Sequence, residues 1–98
     1  MAGTVITANS IIGDHVCILP NTVVHHDSNV GEYTLIGSNV VIAGYTEIGK
    51  QCYIGSGSSI INSINIGDHS LVGIGSNVID SIPENTKVVG NPAKKISI

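Results

Sequence analysis

Isoleucine or valine recurs at every sixth position along most of the chain, without an exception. The thirteen positions are Ile6, Ile12, Ile18, Val24, Val30, Ile36, Ile42, Ile48, Ile54, Ile60, Ile66, Val72 and Val78. A fixed period of this kind is typical of repeat proteins, in which each unit buries its apolar side by stacking on the next. A period of six does not fit an α-helix, because a turn of 3.6 residues would carry these side chains around all sides. The pattern therefore predicts stacked β units.

Two further positions in each six-residue unit carry small residues. Glycine follows the aliphatic residue at seven of the thirteen places, and Ser, Thr, Val or Cys stands four residues after it at eleven. The small residue and the next aliphatic residue are two positions apart, so they point to the same side of a strand. Glycine is expected to permit the bend at the end of each strand, including a positive φ. Each unit is thus predicted to be a short strand followed by a corner.

This repeat resembles that of the hexapeptide-repeat acyltransferases. The resemblance implies an all-β fold, a left-handed parallel β-helix in which three units form one triangular coil and residues eighteen apart lie above one another. It covers residues 6–83, about four coils, and the segment 84–98 resembles the tail that closes the helix in these enzymes. Residues 1–98 are accordingly expected to form a single domain. The family assembles as homotrimers with sites at the subunit junctions, so a homotrimer is expected here.

Composition agrees with a narrow prism and argues against other classes of protein. The 98 residues include no Phe and no Trp, and only 11% are charged. Four Lys, no Arg and a net charge of −3 argue against nucleic acid as the main partner. No apolar run is long enough to span a membrane and no signal peptide is recognisable, so a cytoplasmic protein is expected. Cys17 and Cys52 are nearly two coils apart and are not expected to form a disulfide.

His26 has small neighbours when the sequence is written in rows of eighteen. Ala8 lies below it and Gly44 above it, which leaves room for a ligand beside the imidazole. The segment from Val24 to Gly31 (VHHDSNVG) resembles the His-acidic motif of the sugar acetyltransferases related to sialic acid O-acetyltransferase and to the nucleotide-amino-sugar N-acetyltransferases. The resemblance implies that His26 is the general base, that Asp27 supports it, and that the Gly44 backbone N–H stabilises the oxyanion. It also implies direct acetyl transfer to a sugar or nucleotide-sugar acceptor, without a metal.

Acetyl-CoA is implied as the acetyl donor by the resemblance alone, along a groove between subunits. The exposed corners expected to line that route are Ala43, Gly44, Ser56, Gly57, Ile74 and Gly75. Lys94 and Lys95 are candidates for contacts with the CoA phosphates as point charges, and equally for keeping an uncharged tail in solution. Leu35 stands where many relatives carry a second histidine. This departure affects acceptor choice or activity if that histidine holds the cofactor or the acceptor.

The other residues with chemically active side chains are expected to lie on the surface, in the core, at the subunit interface or in the acceptor cleft. His25 is expected to point to solvent, and His15 and His69 to share a column remote from His26. Cys52 takes an inward, small-residue place and is expected to be a core thiol. The three tyrosines lie off the aliphatic column and are candidates for the subunit interface or the acceptor cleft: Tyr33, Tyr45 and Tyr53.

Two other functions are compatible with such a prism. A γ-class carbonic anhydrase-like zinc protein needs three histidines that converge across an interface. The chain has four histidines but no His-x4-His pair, and the 43 residues between His26 and His69 are not a multiple of eighteen. A non-catalytic scaffold module is the second alternative, because relatives commonly carry an N-terminal α/β domain that helps to bind the nucleotide sugar. Here the repeats begin at residue 6, so we expect the acceptor-binding part to be missing, supplied by another chain or replaced by something smaller.

Overall fold

The computed structural model describes residues 3–96, which form fifteen short strands and no helix. Accordingly, the described residues include no helix long and apolar enough to cross a membrane. The strands are β1 (Val5–Ile6), β2 (Ile11–Ile12), β3 (Cys17–Ile18), β4 (Val23–Val24), β5 (Asn29–Val30), β6 (Leu35–Ile36), β7 (Val41–Ile42), β8 (Glu47–Ile48), β9 (Tyr53–Ile54), β10 (Ser59–Ile60), β11 (Asn65–Ile66), β12 (Leu71–Val72), β13 (Asn77–Val78), β14 (Lys87–Gly90) and β15 (Ala93–Lys95).

The strands stack in three parallel sheets, which are the three faces of a prism. Face A contains β1, β4, β7, β10 and β13, and face B contains β2, β5, β8 and β11. Face C contains β3, β6, β9, β12 and β14, with β15 added antiparallel. Val24 pairs with Ile6 below it and with Ile42 above it, a register of eighteen residues. The predicted three-sided parallel β-helix is confirmed, and its edges AB, BC and CA are named here after the faces that they join.

The aliphatic residue of each strand points into the prism and forms its core. From Ile18 to Val78 these side chains are buried almost completely, and each such burial contributes about 1.5–3 kcal/mol. The small residues at the corners are buried too, and their hydroxyls donate to carbonyl groups of the next coil. The Thr22 hydroxyl donates to the Gly37 carbonyl at 2.6 Å, and that of Ser28 to the Ala43 carbonyl at 2.9 Å. Because these donors are satisfied, their burial costs little.

The glycines that follow the aliphatic residues have a different role from the one expected. Positive φ occurs two residues later, at the third of the four corner residues, as in Tyr33 at 60°. The φ of Gly31 lies outside the left-handed region, but a methyl group on it would lie 2.5 Å from the carbonyl carbon of Gly49 in the next coil. The expectation of positive φ at these glycines was therefore wrong. Glycine is needed there because successive coils approach too closely for a side chain.

The prism has about five coils instead of the four expected. β13 begins a fifth coil on face A, Ile82 bridges to Ile66 on face B, and β14 pairs with β12 on face C. Ile66 and Ile82 are sixteen positions apart, as are the paired residues Leu71 and Lys87. The six-residue pattern thus ends while the winding continues, and most of the expected tail forms the last coil and β15. Residues 97–98 of that tail lie outside the described residues.

Candidate active site at the His26 corner

His26 lies on edge AB, at the corner between β4 and β5. The Asp27 N–H donates to the Ala8 carbonyl in the coil below at 3.0 Å, and the Tyr45 N–H donates to the His26 carbonyl at 3.1 Å. These bonds fix successive corners above one another. Ala8, His26 and Gly44 therefore lie on one edge, as the register of eighteen predicts.

The corner brings the side chains of His26 and Asp27 together although the two residues are neighbours in the sequence. Nδ1 of His26 lies 3.2 Å from Oδ2 of Asp27. Asp27 has a φ of 58°, in the left-handed region that aspartate tolerates better than most residues. The His26 side chain is 53% exposed and the Asp27 side chain 35%, so the pair is open to a ligand. A carboxylate at Nδ1 favours the neutral tautomer in which Nε2 is free to accept a proton.

Gly44 and Tyr45, one coil above, form the wall beside the imidazole. A methyl group on Gly44 would lie 2.9 Å from Cε1 and 3.1 Å from Nε2 of His26, so glycine is what lets the ring lie here. The Gly44 N–H has no backbone acceptor within residues 3–96. The Tyr45 ring packs against the His26 ring with centroids 5.1 Å apart and planes at 86°. A proton acceptor and an unused backbone donor thus occupy adjacent coils of one edge.

Residues 9–62, a length of three coils, match a known family of repeats. Residues 9–44 and 27–62 each match the family described as bacterial transferase hexapeptide (six repeats), and together the matches span more than half of the chain. The chain belongs to this family. A comparison with curated protein sequences gave no significant match.

Solved structures of several acetyltransferases resemble the chain over nearly its whole length. A maltose O-acetyltransferase from Clostridium difficile 630 is 27% identical, with a TM-score of 0.87, over 95% of this chain and 64% of that one. The acetyltransferase domain of PglB from Neisseria gonorrhoeae FA1090, in complex with acetyl coenzyme A, is 27% identical, with a TM-score of 0.84, over 96% and 49%. A variant of perosamine N-acetyltransferase from Caulobacter crescentus, in complex with CoA and GDP-perosamine, shares the fold at 21% identity and a TM-score of 0.81, over 98% and 54%. The chain thus spans 49–64% of the length of these proteins.

Only part of the expected acetyl-CoA route lies beside His26 in this chain. Ala43 and Gly44 share edge AB with His26, one coil above it. The other four corner residues lie at edge CA, after β9 and β12: Ser56, Gly57, Ile74 and Gly75. Ile74 is 71% exposed there. A single chain therefore does not bring these two groups of residues together.

Lys94 and Lys95 lie in β15 at the C-terminal end of the prism, about three coils from the His26 corner. Both are exposed. Lys95 lines a shallow pocket over the last coil, whose walls include Val78, Asp80 and Val88. The two lysines are thus accessible to an anion but do not contribute to the His26 corner itself.

Two exposed isoleucines on the His26 edge were not among the expected site residues. Ile61 and Ile79 follow Ala43 at the same corner position in the next two coils, and both are exposed. At edges BC and CA this position carries glycine in most coils. At edge AB it carries a side chain in every coil: Thr7, His25, Ala43, Ile61 and Ile79. The absence of glycine from every third unit is the signal that identifies this column from sequence.

Of the other histidines, His25 shares the edge AB corner with His26, and His15 and His69 lie on a different edge. His25 is exposed, as expected, and its N–H donates to the Ile42 carbonyl at 2.9 Å. His15 and His69 are exposed on edge BC, and the His15 ring stacks on that of Tyr33 with centroids 4.9 Å apart. Within the described residues, no three His, Cys, Asp or Glu side chains converge so as to hold a metal ion.

Cys52 has the environment that the repeat predicts for it. Cys52 is buried, and its thiol donates to the Gly67 carbonyl at 3.2 Å. Burial raises the pKa of this thiol, so it is a poor nucleophile. Cys17 is exposed on face C, and neither cysteine forms a disulfide. Leu35, where the resemblance leads one to expect a second histidine, also points outward from face C.

Proposed function

We propose that the chain is an acetyl-CoA-dependent acetyltransferase that acetylates a hydroxyl or amino group of a sugar or nucleotide-sugar. The observation that carries this proposal is the contact of 3.2 Å between His26 Nδ1 and Asp27 Oδ2 on an exposed corner of a hexapeptide-repeat prism. The similar proteins include a maltose O-acetyltransferase and a perosamine N-acetyltransferase, and one was solved with acetyl coenzyme A. They support the reaction class and leave O- and N-acetylation as alternatives.

In the proposed reaction His26 is the general base. Its Nε2 accepts the proton of the acceptor hydroxyl or amine while that oxygen or nitrogen attacks the carbonyl carbon of the acetyl thioester. Asp27 stabilises the imidazolium that forms, and the Gly44 N–H stabilises the negative charge on the former carbonyl oxygen. When the tetrahedral intermediate collapses, the C–S bond breaks and the CoA sulfur takes the proton from His26. The imidazole then returns to its neutral form.

We propose that two copies of the chain build each site. Ser56, Gly57, Ile74 and Gly75 can line acetyl-CoA next to His26 only if a second copy presents its edge CA to edge AB. Faces A and C support such packing, because Val41 and Leu35 point outward from them and are partly exposed. A contact between copies would remove these apolar side chains from water. The proposed assembly is a homotrimer, a closed form with three equivalent sites.

Lys94 and Lys95 are proposed to contact the phosphates of CoA as point charges, because both are exposed beyond the last coil. Replacing both by glutamine is expected to weaken acetyl-CoA binding by a few-fold and to reduce its dependence on salt. An unchanged affinity for acetyl-CoA would show that the two lysines do not contact its phosphates and would favour a role in solubility alone. Because acetyl-CoA is a metabolite of the cell interior, the proposed reaction belongs in the cytoplasm.

The proposal is tested first by calorimetric titration of the chain with acetyl-CoA, and by its mass from light scattering. Binding, together with a mass three times the 10.1 kDa of one chain, is expected. His26→Ala should then lower the rate of acetyl transfer by roughly 10²–10⁴-fold, with little change in the unfolding temperature because the side chain is exposed. His69→Ala is the matched control at another exposed corner and should leave the rate unchanged.

Three outcomes separate the alternatives. A stable monomer would contradict the shared site, and a trimer that binds no acetyl-CoA would support a scaffold module. Acetyl transfer by His26→Ala at the parent rate would show that another group is the base. Elemental analysis for zinc tests the carbonic anhydrase-like alternative, whose three histidines would have to come from neighbouring copies.

A further inference from the structure

Tyr45 occupies a backbone position that is unfavourable for tyrosine. Its φ is 59°, at the third corner residue, where φ is positive around the prism. The residues at this position in other corners are mostly the ones that tolerate the left-handed region, such as Asn9, Asn21 and Asn39. A bulky aromatic residue is uncommon there, and the Tyr45 side chain is 58% exposed, so burial in the core does not explain it.

The surroundings of Tyr45 are the His26 ring and backbone. Its N–H donates to the His26 carbonyl at 3.1 Å, and its ring lies 5.1 Å from the imidazole, nearly perpendicular to it. Asp27 holds Nδ1 of the same imidazole, and Gly44 lies against Cε1 and Nε2. Contacts with Tyr45, Asp27 and Gly44 thus define the orientation of the His26 side chain, which is otherwise half exposed.

An exposed histidine ordinarily samples several rotamers. Staggered wells about χ1 and two orientations about χ2 are available to it, and only some of them place Nδ1 on Asp27. The Tyr45 ring contacts the imidazole edge to face, with centroids 5.1 Å apart, so we infer that it restricts rotation of the imidazole away from Asp27. Without the aromatic ring, the imidazole would therefore populate several orientations. In some of them Nδ1 would not contact Asp27, and the carboxylate would no longer select the tautomer.

We propose that Tyr45 is a positioning residue for His26: its ring keeps the imidazole on Asp27, so that Nε2 remains the unprotonated nitrogen. This inference rests on the proposed function of His26 as general base, but the contact can be tested without enzyme activity. The hydroxyl of Tyr45 has no part in it, so phenylalanine should replace tyrosine and asparagine should not. Asparagine is chosen because it suits the left-handed backbone and keeps the corner folded.

Tyr33 provides a matched control at the equivalent position of edge BC. Its φ is 60°, its side chain is 56% exposed, and its ring stacks on His15. Tyr33→Asn therefore makes the same chemical change, with the same relief of backbone strain, beside a histidine that is remote from Asp27. Any general effect of losing an exposed tyrosine on folding or assembly will appear in both variants.

The experiment compares the imidazole NMR signals and the steady-state kinetics of the parent chain, Tyr45→Asn, Tyr45→Phe and Tyr33→Asn. The His26 signals are assigned by their absence from His26→Ala. In Tyr45→Asn the 15N shifts of His26 should move toward a mixture of the two neutral tautomers, whereas Tyr45→Phe should retain the parent shifts. Tyr33→Asn should change His15 alone. For acetyl transfer, Tyr45→Asn should lower kcat about three- to tenfold, on the basis of the rotamers released, with KM for both substrates unchanged.

The readouts distinguish failure of this inference from failure of the proposed function. Unchanged His26 shifts in Tyr45→Asn overturn the inference, whether or not the chain is active. A rise in acceptor KM with unchanged kcat also overturns it, because it shows that Tyr45 contacts the acceptor. If the His26 tautomers mix in Tyr45→Asn while the parent chain transfers no acetyl group, the positioning of His26 stands and the proposed function fails.

Discussion

His26 Nδ1 and Asp27 Oδ2 lie 3.2 Å apart because residue 27 adopts a left-handed backbone conformation. Adjacent residues on a strand point to opposite sides, so this contact depends on the corner. The Asp27 N–H is held by the Ala8 carbonyl in the coil below, and the His26 carbonyl by the Tyr45 N–H in the coil above. The pair is thus fixed by the stacking of coils, and its geometry belongs to the prism as a whole.

Asp27→Asn is expected to lower kcat for acetyl transfer by about tenfold or more, because an amide can turn its NH₂ group toward Nδ1 and favour the wrong tautomer. The unfolding temperature should change little, since asparagine suits the left-handed region. Asp14→Asn, at an exposed corner of edge BC, is the control and should retain the parent rate. Full activity of Asp27→Asn would show that the carboxylate does not assist His26.

Gly44→Ala should reduce catalysis while leaving the fold intact. The added methyl group would lie 2.9 Å from Cε1 of His26, so the ring must turn away from Asp27. Alanine itself fits this corner position, because Ala8 occupies it two coils below. We expect kcat to fall about tenfold or more, the size of effect that misplaced catalytic groups produce, with an unchanged circular dichroism spectrum. A variant with parent kcat would mean that the imidazole orientation seen here is not the one used.

Gly31→Ala and Gly75→Ala should differ in stability although both replace glycine at a corner. A methyl group on Gly31 would lie 2.5 Å from the backbone of the next coil. A methyl group on Gly75 would have no atom within 4 Å, but the φ of residue 75 is 67°, in the left-handed region. Overpacking against the backbone should cost about 1–3 kcal/mol or more, and left-handed strain alone about 1 kcal/mol. Urea unfolding measures both values. Equal losses would show that close packing of coils is not the reason for glycine at position 31.

The register of the prism was predictable because one geometric requirement repeats in every unit. Each strand buries one aliphatic side chain, so Ile and Val recur at a fixed spacing. That spacing determines which residues lie above one another. The column of Ala8, His26 and Gly44 follows directly from it. The fifth coil was not predictable in the same way, because Ile82 and Val88 continue the core after the spacing has changed.

The contacts within the His26 corner depend on features that the six-residue pattern does not contain. The pattern does not show that φ is positive at the third corner residue. Neither the approach of Asp27 to Nδ1 nor the packing of Tyr45 on His26 could therefore be predicted from it. For the same reason, the sequence pattern wrongly predicted positive φ at Gly31, where glycine is instead required by the close approach of the next coil. The separation of Ile74 from His26 onto different edges, in contrast, is implicit in the register of eighteen.

The raised pKa of Cys52 predicts a loss of stability in alkaline solution. Burial raises this pKa above its ordinary value of 9.0, so the folded chain retains a proton that the unfolded chain releases. The folded state then binds more protons, and the free energy of unfolding falls as the pH rises above about 9 through the raised pKa. Cys52→Ser should lose this dependence, and Ser70 shows that serine fits the position one coil above. The free energies of unfolding of the two chains are measured in urea near pH 8 and pH 10, about one unit on either side of 9. An equal loss of stability in both chains between these pH values would contradict the prediction.

Two inactive variants should restore activity to each other if a neighbouring copy completes each site. His26→Ala removes the base, and Ile74→Asp places a charge on a side chain that is 71% exposed, which should weaken acetyl-CoA binding without unfolding the chain. When the two are unfolded and refolded together in equal amounts, random assortment gives about a quarter of sites with an intact His26 facing an intact Ile74. The expected rate is therefore about a quarter of the parent rate. His26→Ala mixed with Asp27→Asn is the control, because both changes affect the same corner of the same chain and no intact site can form. Recovery absent from both mixtures would contradict a site shared between neighbouring copies.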